Sequence, residues 1–162
     1  MRLLPLREYQ NQLLLCIDMY TDMELEHEVV SGEKKSRESI RRECEKLLHE
    51  RLVDSNREFF LFEKGHGFVG FSEVLLEEKC FPDEDLPELC VKVISFYIDP
   101  SNRGEKLGST FFQLLRHWGR DQKAALIEME VPAHPIGANE FLLHQGLELV
   151  GTGARNCYRA FV

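Results

Sequence analysis

One run of the chain, Leu89–Ile98, constrains its fold more than any other stretch. Lys92 and Ser95 are its only polar residues; the others are aliphatic, aromatic or cysteine. Near-continuous apolar character, rich in β-branched and aromatic side chains, predicts a central strand covered on both faces. Asp99-Pro100 closes the run. Leu107, Phe111, Leu115 and Trp118 then recur at helical spacing, which predicts a helix over about Gly104–Arg120. A doubly covered strand feeding an amphipathic helix places the chain among the mixed α/β folds.

The other elements follow from punctuation and period. Ten of the eleven glycines lie after residue 64, so the first third is free to be helical while the rest is broken by turns. Met1–Leu6 reads as a short strand, and Arg7–Tyr20 as a helix with Tyr9, Leu13, Ile17 and Tyr20 on one face. Ser36–Leu52 is a second helix, with Ile40, Cys44, Leu47 and Leu48 inward and Glu38 four residues before Arg42 outside. Glu58–Phe62 and Phe68–Leu76 read as hairpin strands joined through Lys64-Gly65-His66-Gly67. Ala125–Val131 alternates as a strand, Ala138–His144 is a short helix, and Leu147–Val150 and Asn156–Phe161 are strands. With no repeat, low-complexity tract or linker in the sequence, residues 1–162 are expected to form a single domain.

Composition excludes several classes of function. Asp and Glu number 28 against 20 Lys and Arg, a net charge of −8, which argues against nucleic acid as a partner but leaves room for a basic pocket holding one small polyphosphate. No run approaches the roughly 18 apolar residues of a membrane span, and Met1–Leu6 is too short for a signal peptide, so no membrane association is expected. Cys16, Cys44, Cys80, Cys90 and Cys157 are odd in number and form no CxxC pair, as befits reduced thiols in a cytoplasmic protein. His27-Glu28 and His49-Glu50 each lack the second histidine of a zincin helix, and no metal site is expected.

The stretch that carries chemistry is Ile98-Asp99-Pro100-Ser101-Asn102-Arg103-Gly104-Glu105-Lys106-Leu107-Gly108-Ser109-Thr110. A helix N-terminus leaves backbone N–H groups unpaired and carries partial positive charge, so it holds phosphate oxygens well. Gly104 and Gly108 let a ligand come close, and Arg103 and Lys106 add charge. On spacing alone the stretch reads either as a pyrophosphate cradle or as an ordinary strand-to-helix turn. It is neither GxxxxGK[ST] nor GxGxxG.

Tyr97-Ile98-Asp99-Pro100-x-x-Arg103-Gly104-x-x-Leu107-Gly108 with its following helix resembles the acetyl-CoA signature of the GCN5-related N-acetyltransferases (GNAT), written (Q/R)xxGx(G/A). Arg103 and Gly108 fill the outer positions, and Lys106 replaces the middle glycine. The resemblance covers nearly the whole chain, including the Gly67–Gly70 hairpin and Ala138 to Gly146-Leu147. It implies a single-domain α/β fold: a mixed central sheet of about seven strands flanked by about four helices, with the fourth and fifth strands splayed. Val69-Gly70-Phe71-Ser72-Glu73-Val74, His117-Trp118-Gly119-Arg120, Glu128-Met129 and Cys157-Tyr158-Arg159 are similar to aminoglycoside 6′-N-acetyltransferases. Ile94 and Pro132 stand where that subfamily has acidic residues.

What the resemblance implies is acetyl transfer from acetyl-CoA directly to a primary amine, without a metal. Backbone groups of Phe96, Tyr97 and Ile98 would pair with pantetheine and polarise the thioester. Arg103, Gly104, Glu105, Lys106, Leu107, Gly108 and Ser109 would hold the pyrophosphate, and Asn139 would reach the pantetheine arm. An amine must lose a proton before it attacks, so a base is needed; Glu73, Glu88 and Glu130 with His134 are the candidates. The tyrosine many members use as acid, four residues before the late glycine, is Leu142 here, leaving Tyr158 or Tyr97 as substitutes. Seven acids between Glu73 and Glu88 with one base, Lys79, and a second group, Asp22, Glu24, Glu26 and Glu28, expected between the first two helices, point to a cationic acceptor: a polyamine, an aminoglycoside-like sugar or a peptide. Family habit adds a homodimer. The competing expectation is a non-catalytic acyl-CoA-binding or regulatory domain.

Overall fold

The computed structural model describes residues 1–31, 35–79, 88–133 and 136–162. Its elements are β1 (Arg2–Pro5), α1 (Leu13–Ser31), α2 (Arg37–Leu52), β2 (Arg57–Lys64), β3 (Gly67–Lys79), β4 (Glu88–Ile98), α3 (Leu107–Asp121), β5 (Leu126–Pro132), α4 (Ile136–His144), β6 (Glu148–Gly151) and β7 (Arg155–Phe161). The strands make one seven-stranded sheet in the order β1-β2-β3-β4-β5-β7-β6. β4 and β5 are parallel; β1 with β2, β5 with β7, and β6 with β7 are antiparallel. The fold class is the expected mixed α/β.

Two compact units divide the chain: Met1–Glu73 with Ser95–Glu105, and Val74–Ile94 with Lys106–Val162. In the first, Ile17, Met19, Tyr20 and Met23 of α1 and Ile40, Cys44 and Leu48 of α2 bury against Phe59, Leu61, Phe71 and Tyr97 of the strands. Ser36 caps α2, its hydroxyl accepting from Ser39 N at 3.2 Å. In the second, α3 buries Leu107, Phe111, Phe112 and Leu115. Gly119 brings that helix close to the sheet, since a Cβ there would stand 3.0 Å from Val91 Cγ2 and 3.2 Å from Val162 Cγ1. The His117-Trp118-Gly119-Arg120 motif therefore marks helix–strand packing.

Three of the boundaries that differ from expectation do so for a local reason. The helix expected over Arg7–Tyr20 begins at Leu13, after a 3-10 turn at Gln10–Gln12, and runs on to Ser31. Nothing between Thr21 and Ser31 breaks a helix, and Met23 continues the buried face. Asp22, Glu24, Glu26 and Glu28 consequently lie on α1 rather than between two helices. The helix expected from Gly104 begins at Leu107, because Gly104 (φ +85°) and Lys106 (φ +59°) are left-handed and cannot join a right-handed helix.

Candidate active site

From the end of β4 the backbone turns sharply. Asp99 N donates to Val69 O at 2.9 Å, and the Asp99 carboxylate accepts from Ser101 N at 2.8 Å, closing a 3-10 turn over Pro100–Asn102. Those Ser101 hydrogen bonds hold the Asp99 carboxyl below the usual range. Lys106 is the N-cap of α3 in left-handed conformation (φ 59°, ψ 14°), and its side chain makes no capping bond. The first backbone bond back into the turn is Thr110 N to Lys106 O at 3.1 Å. The N–H groups of Leu107, Gly108 and Ser109 precede it and have no acceptor within the helix, which is the arrangement that binds anions. Successive left- and right-handed residues also turn neighbouring N–H groups into one concavity.

Arg103 points elsewhere. Its Nε donates to Ile98 O at 2.8 Å, one terminal nitrogen lies 2.9 Å from both carboxylate oxygens of Glu26, and the guanidinium sits 5.5 Å from the Tyr97 ring centroid. The side chain thus ties the turn back to β4 and α1. Glu105 pairs with Lys64, and Ser109 Oγ accepts from Gln145 Nε2 at 2.9 Å.

The family model described as "Acetyltransferase (GNAT) family" matches residues 17–147, four-fifths of the chain. The chain belongs to this family. Among curated proteins none matches. Solved structures share the fold across nearly the full length: a tetramutant of the BH1408 protein of Bacillus halodurans (TM-score 0.72, 14% identity, 94% of this chain and 95% of that one); a PaiA N-acetyltransferase of Thermoplasma acidophilum in complex with coenzyme A (0.71, 14%, 94% and 94%); and an acetyltransferase of Thermus thermophilus (0.65, 19%, 92% and 90%).

The residues nominated for chemistry in this GNAT chain fall in different surroundings. Glu73 is fully buried, with Oε2 2.7 Å from Arg51 and Oε1 on Arg57. Both of its oxygens are taken up by guanidinium groups inside the protein, and the setting is that of a structural clamp. Glu130 on β5 keeps a 39% exposed side chain, 3.2 Å from Lys92 Nζ. Tyr158 is buried and donates to Asn139 Oδ1 at 2.9 Å, an oxygen that also accepts from Asn156 at 2.9 Å. Asn139 Nδ2 in turn donates to Pro132 O at 3.0 Å. The fold thus joins Tyr158 and Asn139 in one hydrogen-bonded group with Asn156 and the Pro132 carbonyl. Tyr97 packs on Phe71, and burial first, then Glu26 and Asp22, pushes its phenol up to about 12, too weak an acid to hand a proton readily to a thiolate. His134 lies outside the described residues.

One carboxylate oxygen each of Glu128 and Glu130 and the Cys157 sulfur lie within 4.8 Å of one another. Cations already occupy this cluster: Lys79 and Arg159 hold Glu128, the latter at 2.7 Å, and Lys92 holds Glu130. Burial raises the Glu128 carboxyl, but the hydrogen bonds and charges of Lys79 and Arg159 outweigh it, and the group titrates below its ordinary range. Burial pushes the Cys16 thiol up to about 12 and Cys90 to about 11, so both stay protonated. The described cysteines are free; Cys80 lies outside the described residues.

Among the described residues of the acidic segments, several carboxylates are paired with bases. Asp22 is 2.5 Å from Arg37, Glu26 is held by Arg103, and Glu77 is 3.2 Å from Lys79. Asp83, Glu84 and Asp85 lie outside the described residues, as does the Glu28 side chain. Among the described residues no helix is long and apolar enough to cross a membrane.

Proposed function

We propose that this chain is an acetyl-CoA-dependent N-acetyltransferase that moves an acetyl group directly to a primary amine of a cationic small molecule (aminoglycoside-like or a polyamine) or of a peptide. The observation that carries the reading is the left-handed turn at Gly104–Lys106 opening onto the N-terminus of α3, in a chain of this family. The turn fits a diphosphate: the orphan N–H groups of Leu107, Gly108 and Ser109, the positive end of the helix and the Lys106 ammonium offer donors and charge together. The coenzyme A complex of the PaiA enzyme supports the same ligand class here. Residues 1–162 would act as one N-acetyltransferase domain in the cytoplasm.

Acetyl-CoA supplies an activated acetyl thioester. Backbone N–H groups of Phe96 and Ile98 would stabilise the negative charge that grows on the acyl oxygen as the amine attacks. The new C–N bond forms as the C–S bond breaks, with the amine proton leaving to a base and the sulfur leaving as thiolate, then thiol. Of the candidate bases we assign the role to Glu130, whose carboxylate on β5 keeps a 39% exposed side chain. Matching of Asp22, Glu26 and Glu77 by bases narrows the support for a cationic acceptor to the net charge of −8 and the remaining acids. Half-exposed Leu149 and Val150 on edge strand β6 are where a homodimer would form.

A second reading, a non-catalytic acyl-CoA-binding domain, is favoured by Leu142, fully buried where a family acid would stand, and by the clamped Glu73. Thiol release from acetyl-CoA with spermidine, kanamycin and a lysine peptide separates the two. The enzyme reading expects release with at least one amine, falling with added salt, and about 10²-fold slower in Glu130→Gln. Acetyl-CoA binding without release from any amine supports the second reading instead.

A further inference from the structure

β3 and β4 meet in an unusual way within the first unit. Ser72 on β3 is fully buried, and its hydroxyl donates to the Ser95 carbonyl of β4 at 2.7 Å. Two residues along each strand, a Cβ on Gly70 would collide with the Tyr97 carbonyl oxygen and stand 3.0 Å from Phe62 Cδ2. In a flat ladder the carbonyls lie in the sheet plane and Cβ atoms leave it, so a neighbour's side chain does not meet them. Here the Ser95 and Tyr97 carbonyls both lean toward the face on which Ser72 projects. Glycine at 70 leaves the room this requires, and the Ser72 hydroxyl holds the tilt.

A trans peptide is planar, with C=O and N–H pointing opposite ways. Fixing the Ser95 and Tyr97 carbonyls against β3 therefore fixes the Phe96 and Ile98 N–H groups toward the other side of β4. The Ile98 carbonyl on that side accepts from Arg103 Nε at 2.8 Å.

We propose that Ser72 is a positioning residue for thioester polarisation: through the Ser95 carbonyl it sets the angle at which the Phe96 N–H meets the acetyl oxygen. Gly70 serves the same end by admitting the Tyr97 carbonyl. The inference rests on the acetyl-CoA reading above. It adds to that reading two β3 residues that touch neither cofactor nor acceptor and still govern the chemical step.

The test is difference infrared spectroscopy of acetyl-CoA labelled with ¹³C at the acetyl carbonyl, bound to wild type, Ser72→Ala and Ser72→Thr, with affinities from calorimetry. Wild type should shift the carbonyl band to lower wavenumber. Ser72→Ala should lose most of that shift while its Kd stays within about threefold, because the diphosphate contacts are untouched. Ser72→Thr, which keeps the hydroxyl, should restore the shift. Should Ser72→Ala not fold, Ser72→Cys keeps the volume, weakens the hydrogen bond and should show a partial loss. An unchanged band in a variant that binds acetyl-CoA overturns the inference alone. No binding by wild type overturns the acetyl-CoA reading and this inference with it.

Discussion

Glu73→Gln distinguishes a structural carboxylate from a catalytic one. Glu73 has no exposed surface, while its partners Arg51 and Arg57 keep 29% and 18% of theirs. Glutamine preserves the shape and one acceptor but turns an NH2 group toward a guanidinium, so one charge-assisted bond weakens and the other becomes a donor–donor contact. Removing one partner of a fully buried pair costs about 3–5 kcal/mol. Both arginines reach water and recover some hydration, which brings the expected loss to about 2–3 kcal/mol. For a chain of this length that corresponds to roughly 4–12 °C in Tm. Urea denaturation followed by circular dichroism measures it, and thiol release well below the lowered Tm measures chemistry. Stability within about 0.5 kcal/mol of wild type would refute the clamp. Turnover abolished in a folded Glu73→Gln protein would return Glu73 to the chemistry.

Three further outcomes are expected. Gly108→Asp should remove measurable acetyl-CoA binding by setting a carboxylate against the diphosphate at the α3 N-terminus, with Tm nearly unchanged; equal affinity in the folded variant would dissociate the turn from the cofactor. Lys106→Gly relieves a left-handed lysine at a cost of chain entropy, so stability should stay level or rise by up to about 1 kcal/mol while acetyl-CoA affinity falls severalfold with the lost charge; a clear loss of stability would contradict the strained N-cap. Because the folded Glu128 carboxyl titrates below its unfolded value, its contribution is present above about pH 4.3 and fades as pH falls through the lower folded value. Acid unfolding of Glu128→Gln should therefore be less steep in that window than wild type, and a parallel curve would show that Lys79 and Arg159 do not stabilise the charge.

The parts of the fold legible from sequence were those where one period dominates. The nearly continuous apolar run Leu89–Ile98 coincides with β4, Glu88–Ile98, to one residue, although its burial alternates: Val93, Ser95 and Tyr97 are buried, and Lys92, Ile94 and Phe96 only partly so. The two-residue turn Gly65-His66 between β2 and β3 follows from Gly65 at φ +64°. Backbone hand and charge pairing were not legible. Nothing in the letters marks Lys106 as left-handed, so the start of α3 looked three residues earlier. Asp22, Glu24 and Glu26 resembled a charged loop because the bases that hold Asp22 and Glu26, Arg37 and Arg103, are 15 and 77 residues away. Ser72 left no signal of its own, since its role depends on a carbonyl 23 residues on; Gly70 inside an apolar strand was the available hint of a close backbone approach.

Calorimetric titration of the purified protein with acetyl-CoA, beside dephospho-CoA and ATP, tests the central claim most directly. The cradle formed by the Gly104–Lys106 turn and the α3 N-terminus predicts saturable acetyl-CoA binding, with ATP much weaker because it lacks the pantetheine arm that β4 would hold. No heat at millimolar acetyl-CoA would contradict the account and leave the Arg103–Gly108 segment as only a turn.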